Sequence, residues 1–253
     1  MGDQGVWLRF DEELRFFLAP RHRRQPAVNV AHDAASTVGH LVTSLGVPLT
    51  EVGALTVGGH QVPASYRPED GDMIDVSPVS RPQLPEPAGQ PLRFVLDVHL
   101  GTLARRLRLL GLDTRYANDA DDDELITAAN AEDRVLLTQD RGLLRRNALR
   151  RGGYVRGARP DQQLRDVLDR FAPELAPWTR CAACNGLLAA VPKSEVEREL
   201  QSGTRRSYQE FARCPDCGQV YWRGAHNPRL RRIVAAAEAA VSQRQDRDEA
   251  RGT

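Results

Sequence analysis

Two groups of side chains in this sequence have the composition and spacing to do chemistry. The first is sulfur. Cys181-Ala-Ala-Cys184 and Cys214-Pro-Asp-Cys217, separated by 29 residues, contain all the cysteines of the chain. Paired Cys-x-x-Cys knuckles supply four thiolates in the tetrahedral geometry of a structural zinc ion. Disulfides are the competing use, disfavoured in a reducing compartment, and thiol redox chemistry does not need two such pairs in a ribbon. The second group is carboxylate. Asp97 follows the apolar run Phe94-Val-Leu96, Asp140 follows Arg134-Val-Leu-Leu-Thr138, and acids crowd positions 119–124, among them Asp122 and Asp123. Carboxylate oxygens hold hard divalent cations such as magnesium or manganese, which activate water and stabilise the leaving oxygen in phosphodiester cleavage. Arg105, Arg106 and Arg108 follow the first aspartate, and Arg141, Arg145 and Arg146 the second. Guanidinium groups suit phosphates, so these six are candidate nucleic-acid contacts.

A single aspartate in such a place is more often a helix cap, and acids in a first turn suit the helix dipole. What points beyond capping is repetition, since the strand-then-aspartate placement occurs twice and a dense acidic start lies between. His99 and His226 read as structural hydrogen-bonders, His226 because four cysteines already satisfy a zinc ion.

The elements that must position these groups follow from periodicity. Phe94–Leu96 and 134–138 read as buried strands of a parallel sheet, with the site outside their carboxyl ends. Leu100, Leu103, Leu107 and Leu110 make one apolar helix face, the arginines project from other sides, and Gly111 is the expected stop. A second helix starts in the acids of 119–124. A short strand is expected at 154–155 and a helix at 161–171. Asp113 reads as a turn residue.

Upstream, Val6, Leu8 and Phe10 alternate as a strand, 27–30 reads as a second, Ser36 or Thr37 caps a helix to about Leu45, and strands follow near 55–57 and 73–76. Two strands, a helix and more strands resemble a ubiquitin-like β-grasp; no terminal Gly-Gly follows, so docking or regulation rather than carrier chemistry is expected. Residues 77–92 hold five prolines and read as a semi-rigid linker. The division expected is 1–80 β-grasp, 81–92 linker, 93–175 α/β domain, 176–227 zinc ribbon and 228–253 a helix, to about Val241, with a disordered tail.

Composition restricts the remaining classes. The chain has 253 residues, 41% of them hydrophobic, enough for more than one core. Lys+Arg 35 against Asp+Glu 34 leaves local rather than global charge to attract a polyanion. The only lysine is Lys193, preceded by Pro192, which excludes a P-loop and leaves one residue for a Schiff base. No signal-peptide pattern, myristoylation pattern or 18-residue apolar run is present, so no membrane association and a cytoplasmic location are expected.

Taken in order, FVLDVHLGTLARRLRLLGLDT, DDDELITAA, RVLLTQD, RCAACNGLL and RCPDCGQVYWRGAH resemble the Mut-7 C-terminal RNase family, with its attached ubiquitin-like domain in front. The resemblance spans about residues 5–226. It implies an α/β, PIN-like parallel sheet with flanking helices, a metal-dependent ribonuclease activity on RNA, a structural zinc, and a protein partner for the β-grasp domain. Asp97 matches the first acidic position and Asp140 the one after the LLT strand. The middle acid falls on Asp122 or Asp123. Gln139 departs from the basic residue expected before Asp140, with Arg141 as the substitute, and a fourth acid has no match. Two other readings compete: a non-catalytic RNA- or protein-binding module built on the ribbon, and a haloacid-dehalogenase-like phosphatase with Asp97 as nucleophile. The second lacks the aspartate wanted at position 99, which is His, and a lysine in that domain.

Overall fold

A computed structural model describes residues 5–31, 33, 35–83, 90–222 and 228–251. Part of the proline-rich segment, His226 and the last two residues of the tail lie outside them. In chain order the elements are β1 (Val6–Phe10), α1 (Glu12–Arg15), β2 (Val28–Val30), α2 (Val38–Ser44), β3 (Val52–Val57), β4 (His60–Gln61), β5 (Met73–Pro78), β6 (Arg93–Leu96), α3 (Gly101–Leu109), β7 (Asp113–Tyr116), α4 (Asp122–Ala131), β8 (Val135–Thr138), α5 (Arg141–Leu144), β9 (Gly152–Tyr154), α6 (Pro160–Phe171), β10 (Ala189–Val191), α7 (Lys193–Val196), α8 (Ser202–Ser207), β11 (Phe211–Arg213), β12 (Val220–Trp222) and α9 (Pro228–Arg251). They form two compact units, Met1–Gln83 with Asp121–Val155 and Leu84–Ala120 with Arg156–Thr253. The proline-rich stretch therefore separates sequence regions, while the units exchange segments across it.

In the first unit, β2-β1-β5-β3-β4 make a five-stranded sheet in which β1 and β5 are parallel and the other pairings antiparallel. This is the β-grasp order. Alternation decides its core: Val6, Leu8 and Phe10 of β1 turn inward with Ile74 and Val76 of β5, and Val38, Leu41 and Val42 of α2 cover them. Thr37 caps α2, its hydroxyl accepting from the His40 N–H at 3.3 Å. Gly58 and Gly59, at φ +56° and +83°, form the two-residue turn between β3 and β4 that glycine alone takes without strain.

The same unit contains the parallel pair β8 and β9 with α4 and α5 packed on them. Every residue of β8 is buried, as a strand covered on both faces should be. The capping box Asp121/Glu124 starts α4, which explains two of the acids of 119–124.

The second unit holds the parallel pair β6 and β7, with Leu96 in register with Tyr116, and helices α3 and α6. Leu103 and Leu107 of α3 are fully buried, and Phe94 meets the edge of Phe171 at 5.4 Å. Gly111 ends α3 at φ +85°, and a Cβ there would stand 2.1 Å from the Ala176 carbonyl oxygen. Left-handed strain and a backbone clash act together, so Gly111→Ala is expected to destabilise the protein by about 2 kcal/mol or more, read as a lowered melting temperature.

Three sequence expectations are corrected. Asp113 opens strand β7 instead of sitting in a turn. Helix α9 continues to Arg251 rather than stopping near Val241, because 228–251 contains no glycine and, after Pro228 at its first position, no proline. Arg106 and Arg108 do not project into solvent: they are 8% and 4% exposed. Among the described residues no helix is long and apolar enough to cross a membrane.

Candidate metal centre and carboxylate sites

The ribbon is built on an antiparallel sheet, β10-β11-β12, with a small core of Val196, Leu200, Tyr208, Phe211 and Val220. Sγ of Cys181, Cys184, Cys214 and Cys217 all lie within 4.8 Å of one another. Two of the sulfur pairs, Cys184–Cys214 and Cys181–Cys217, are 3.4 and 3.6 Å apart. A tetrahedron with metal–sulfur bonds of about 2.3 Å has edges of about 3.8 Å, so the set fits a zinc ion. A disulfide needs about 2.05 Å, so these are free thiols. Burial pushes the Cys181 thiol up, but hydrogen bonds from the Tyr221 hydroxyl, 3.0 Å away, and from the N–H groups of Cys184 and Ala183 outweigh it and bring it to about 6. For Cys184 the Gly186 N–H pulls down, while burial and the other three sulfurs push up, to about 12.

The first knuckle is not a free appendage of this unit. Asn185, at φ +78°, accepts from the Thr114 N–H through Oδ1 at 2.9 Å and donates through Nδ2 to Asp113 at 2.9 Å. Arg108 donates to the Thr114, Ala182 and Ala183 carbonyls at 2.8, 3.3 and 2.6 Å. Burial lowers the pKa of its guanidinium, opposed by the nearby sulfurs of Cys184 and Cys181. Arg106 pairs with Asp161 at 2.5 Å. Two of the arginines expected to contact nucleic acid thus brace α3 from inside.

Asp97 follows β6 and is 6% exposed. It stands at the start of a 3-10 turn over Val98–Leu100 without capping it through its side chain. That turn is held from β7: the Tyr116 hydroxyl donates to the Val98 carbonyl at 2.9 Å. Gly101 lies under the same ring, where a Cβ would be 2.6 Å from the hydroxyl oxygen. Nothing in the sequence singles out Tyr116; the nearest signal is a glycine in the first turn of a helix, which implies a close neighbour.

Asp140 stands beyond the carboxyl end of β8. Its Oδ1 accepts from Gly142 and Leu143 N–H at 2.6 and 3.3 Å, so the capping role is real. Oδ2 has no partner among the described residues. Asp123 is ion-paired with Arg146. Asp122 makes no such contact among the described residues and, like Asp123, is exposed in the first turn of α4. Arg105 and Arg145 are exposed, and Arg145 donates to the Arg141 carbonyl. Gln139, where a basic residue was expected, donates to the Val155 carbonyl at 2.9 Å and secures the edge of the β8–β9 pair.

Residues 92–234 match the family model described as the Mut7-C RNAse domain, and residues 4–84 the one described as Mut7-C ubiquitin. No curated protein and no solved structure matches the chain.

Proposed function

The chain belongs to the Mut7-C RNase family, a nuclease family, and from that premise we propose that it is a metal-dependent ribonuclease hydrolysing RNA phosphodiester bonds. The observation that carries the reading is the repeated construction in which Asp97 and Asp140 each stand beyond the carboxyl end of a parallel strand, where α/β folds build their sites. Asp97, Asp122 and Asp140 are the residues assigned to hold magnesium or manganese. Such an ion, when bound, supplies an activated water and neutralises charge on the phosphate. The chain's own part is positional. Tyr116 fixes the backbone that follows Asp97, and the Gly142 and Leu143 amides fix the Asp140 carboxylate through one oxygen and leave the other for a cation. Arg105, Arg141 and Arg145 are the remaining candidates for phosphate. Cys181, Cys184, Cys214 and Cys217 hold a structural zinc, and the ubiquitin-like domain takes a protein partner.

Of the two candidate acids Asp122 is the assigned ligand, because Asp123 is already ion-paired with Arg146. Asp122→Asn is expected to reduce cleavage by about 10²-fold or more, since partners one step further from a metal are already worth about 10–100-fold. Asp123→Asn removes a solvent-exposed ion pair and should leave the rate within about threefold. Cleavage of labelled single-stranded RNA with and without manganese reads both, and the reverse ranking would move the site to Asp123. The capping bonds of Asp140 favour one other reading, a protein that binds RNA without cutting it. Wild-type protein that binds RNA but leaves it intact in manganese would decide for that reading.

A further inference from the structure

Of the six arginines that follow the two strand-end aspartates, Arg141 is held in a way the others are not. Arg106, Arg108 and Arg146 use their guanidinium groups on Asp161, on carbonyls and on Asp123, and Arg145 uses its Nε on the Arg141 carbonyl. Arg105 is exposed and makes no side-chain hydrogen bond or ion pair among the described residues. The Arg141 guanidinium lies 4.0 Å from the centre of the Phe16 ring and 5.7 Å from that of Phe17. Its N–H groups have no acceptor among the described residues. A stacked guanidinium is covered on one face and keeps its edge donors available, the geometry in which arginine takes a phosphate.

The rings that hold it belong to the ubiquitin-like region. Asp11 caps α1 through the Glu13 N–H at 3.0 Å, and Phe16 is the residue that caps its other end. Phe17 is buried in the β-grasp core, whereas Phe16 is 41% exposed. Tyr154 of β9 completes the cluster, 5.3 Å from Phe16 and 5.4 Å from Phe17. It is fixed there because Glu51, buried just before β3, accepts from the Tyr154 N–H at 2.7 Å. The whole arrangement lies within one compact unit.

We propose that Phe16 is a positioning residue for Arg141: the ubiquitin-like region supplies the aromatic platform that presents the guanidinium next to Asp140 to an RNA phosphate. This rests on RNA being the substrate. Phe16 touches no substrate and acts only through Arg141.

The test is the affinity of the full chain for labelled single-stranded RNA as a function of salt, without added divalent metal, so that it does not depend on cleavage. Arg141→Ala is expected to weaken binding and to flatten the salt slope by about 0.7, the share of one phosphate contact on a single strand. Phe16→Ala should weaken binding about two- to fivefold, the strength of an exposed cation–π contact, and flatten the slope in the same direction. Phe16→Tyr should bind as wild type. Phe16→Leu, which keeps an apolar contact without the ring quadrupole, should behave as Phe16→Ala while melting as wild type. The double variant Phe16→Ala/Arg141→Ala should bind no more weakly than Arg141→Ala alone. Multiplying effects in the double variant, an unchanged slope in Phe16→Ala, or wild-type binding by Phe16→Leu would overturn the proposal. RNA bound in this pattern but never cleaved in manganese would instead overturn the ribonuclease reading and leave the positioning role standing. No RNA binding by the wild type overturns both.

Discussion

Asp97→Asn is expected to lower the rate of RNA cleavage by about 10³-fold or more while leaving the protein folded. The substitution keeps the shape of a side chain that is 6% exposed and removes its charge. Groups that only orient a metal ligand are worth about 10–100-fold, so losing a ligand should exceed the top of that range; 10³-fold is about 4 kcal/mol of barrier. A residue that merely stabilised the β6 turn would behave in the opposite way, with a depressed melting temperature and a modest change in rate. The turn has its own support in the Tyr116 hydroxyl, so the melting midpoint should move by no more than about 3 °C, the equivalent of about 1 kcal/mol for a chain of this size. Asp140→Asn makes a useful companion. Asparagine caps helices about as well as aspartate, so the variant keeps the bonds from Gly142 and Leu143 and loses the negative charge. If Asp140 is only a cap, that variant should cleave normally; if it is a ligand, it should fail as Asp97→Asn does. Full activity in both variants would sink the carboxylate site.

The periodic features were legible in the residues, and the contacts between regions were not. Alternation in 6–10 and the leucine spacing of 100–110 mark elements whose burial repeats along the chain, and β1 and α3 follow them. Strand β7 carries no periodic signal because DTRY is polar in three positions of four; it becomes a strand by pairing with β6, and Asn185 and Arg180 both donate to its aspartate. Arginine is the clearest failure of local reading. A helix carrying Arg105, Arg106 and Arg108 has a charged back by periodicity, yet Arg106 and Arg108 fold inward because Asp161, fifty-five positions away, and the carbonyls of the first cysteine knuckle await them. Charge alone does not tell a phosphate contact from a brace. The distinction depends on partners distant in sequence, as Phe16 is from Arg141. At the acidic start of α4 the sequence leaves Asp122 and Asp123 equivalent, and the ion pair from Arg146 to Asp123, twenty-three positions away, is a difference no local pattern carries.

Removal of zinc should do more than unfold a ribbon. Binding free energies of about 10–16 kcal/mol are usual for structural zinc in small modules, and they are folding free energy. Even a third of that, at about 2–4 °C per kcal/mol, lowers the melting midpoint by about 10 °C. The ribbon has little else to hold it, with a core of Val196, Leu200, Tyr208, Phe211 and Val220. Loss of the metal also releases the knuckle that Asn185 and Arg108 tie to β7 and α3. Arg108 would then be a buried guanidinium without two of its three carbonyl acceptors and without the thiolates that offset its charge. Treating the full chain with a strong zinc chelator should therefore release one equivalent of metal, lower the midpoint, and accelerate hydrogen exchange at the Thr114 amide, which donates to Asn185. Acidification should release the metal as well, because protons compete for the thiolates. Retention of the midpoint with no zinc released would remove the metal centre from the account. A ribbon that unfolds while Thr114 keeps its protection would show that the knuckle is docked on the nuclease region without supporting it.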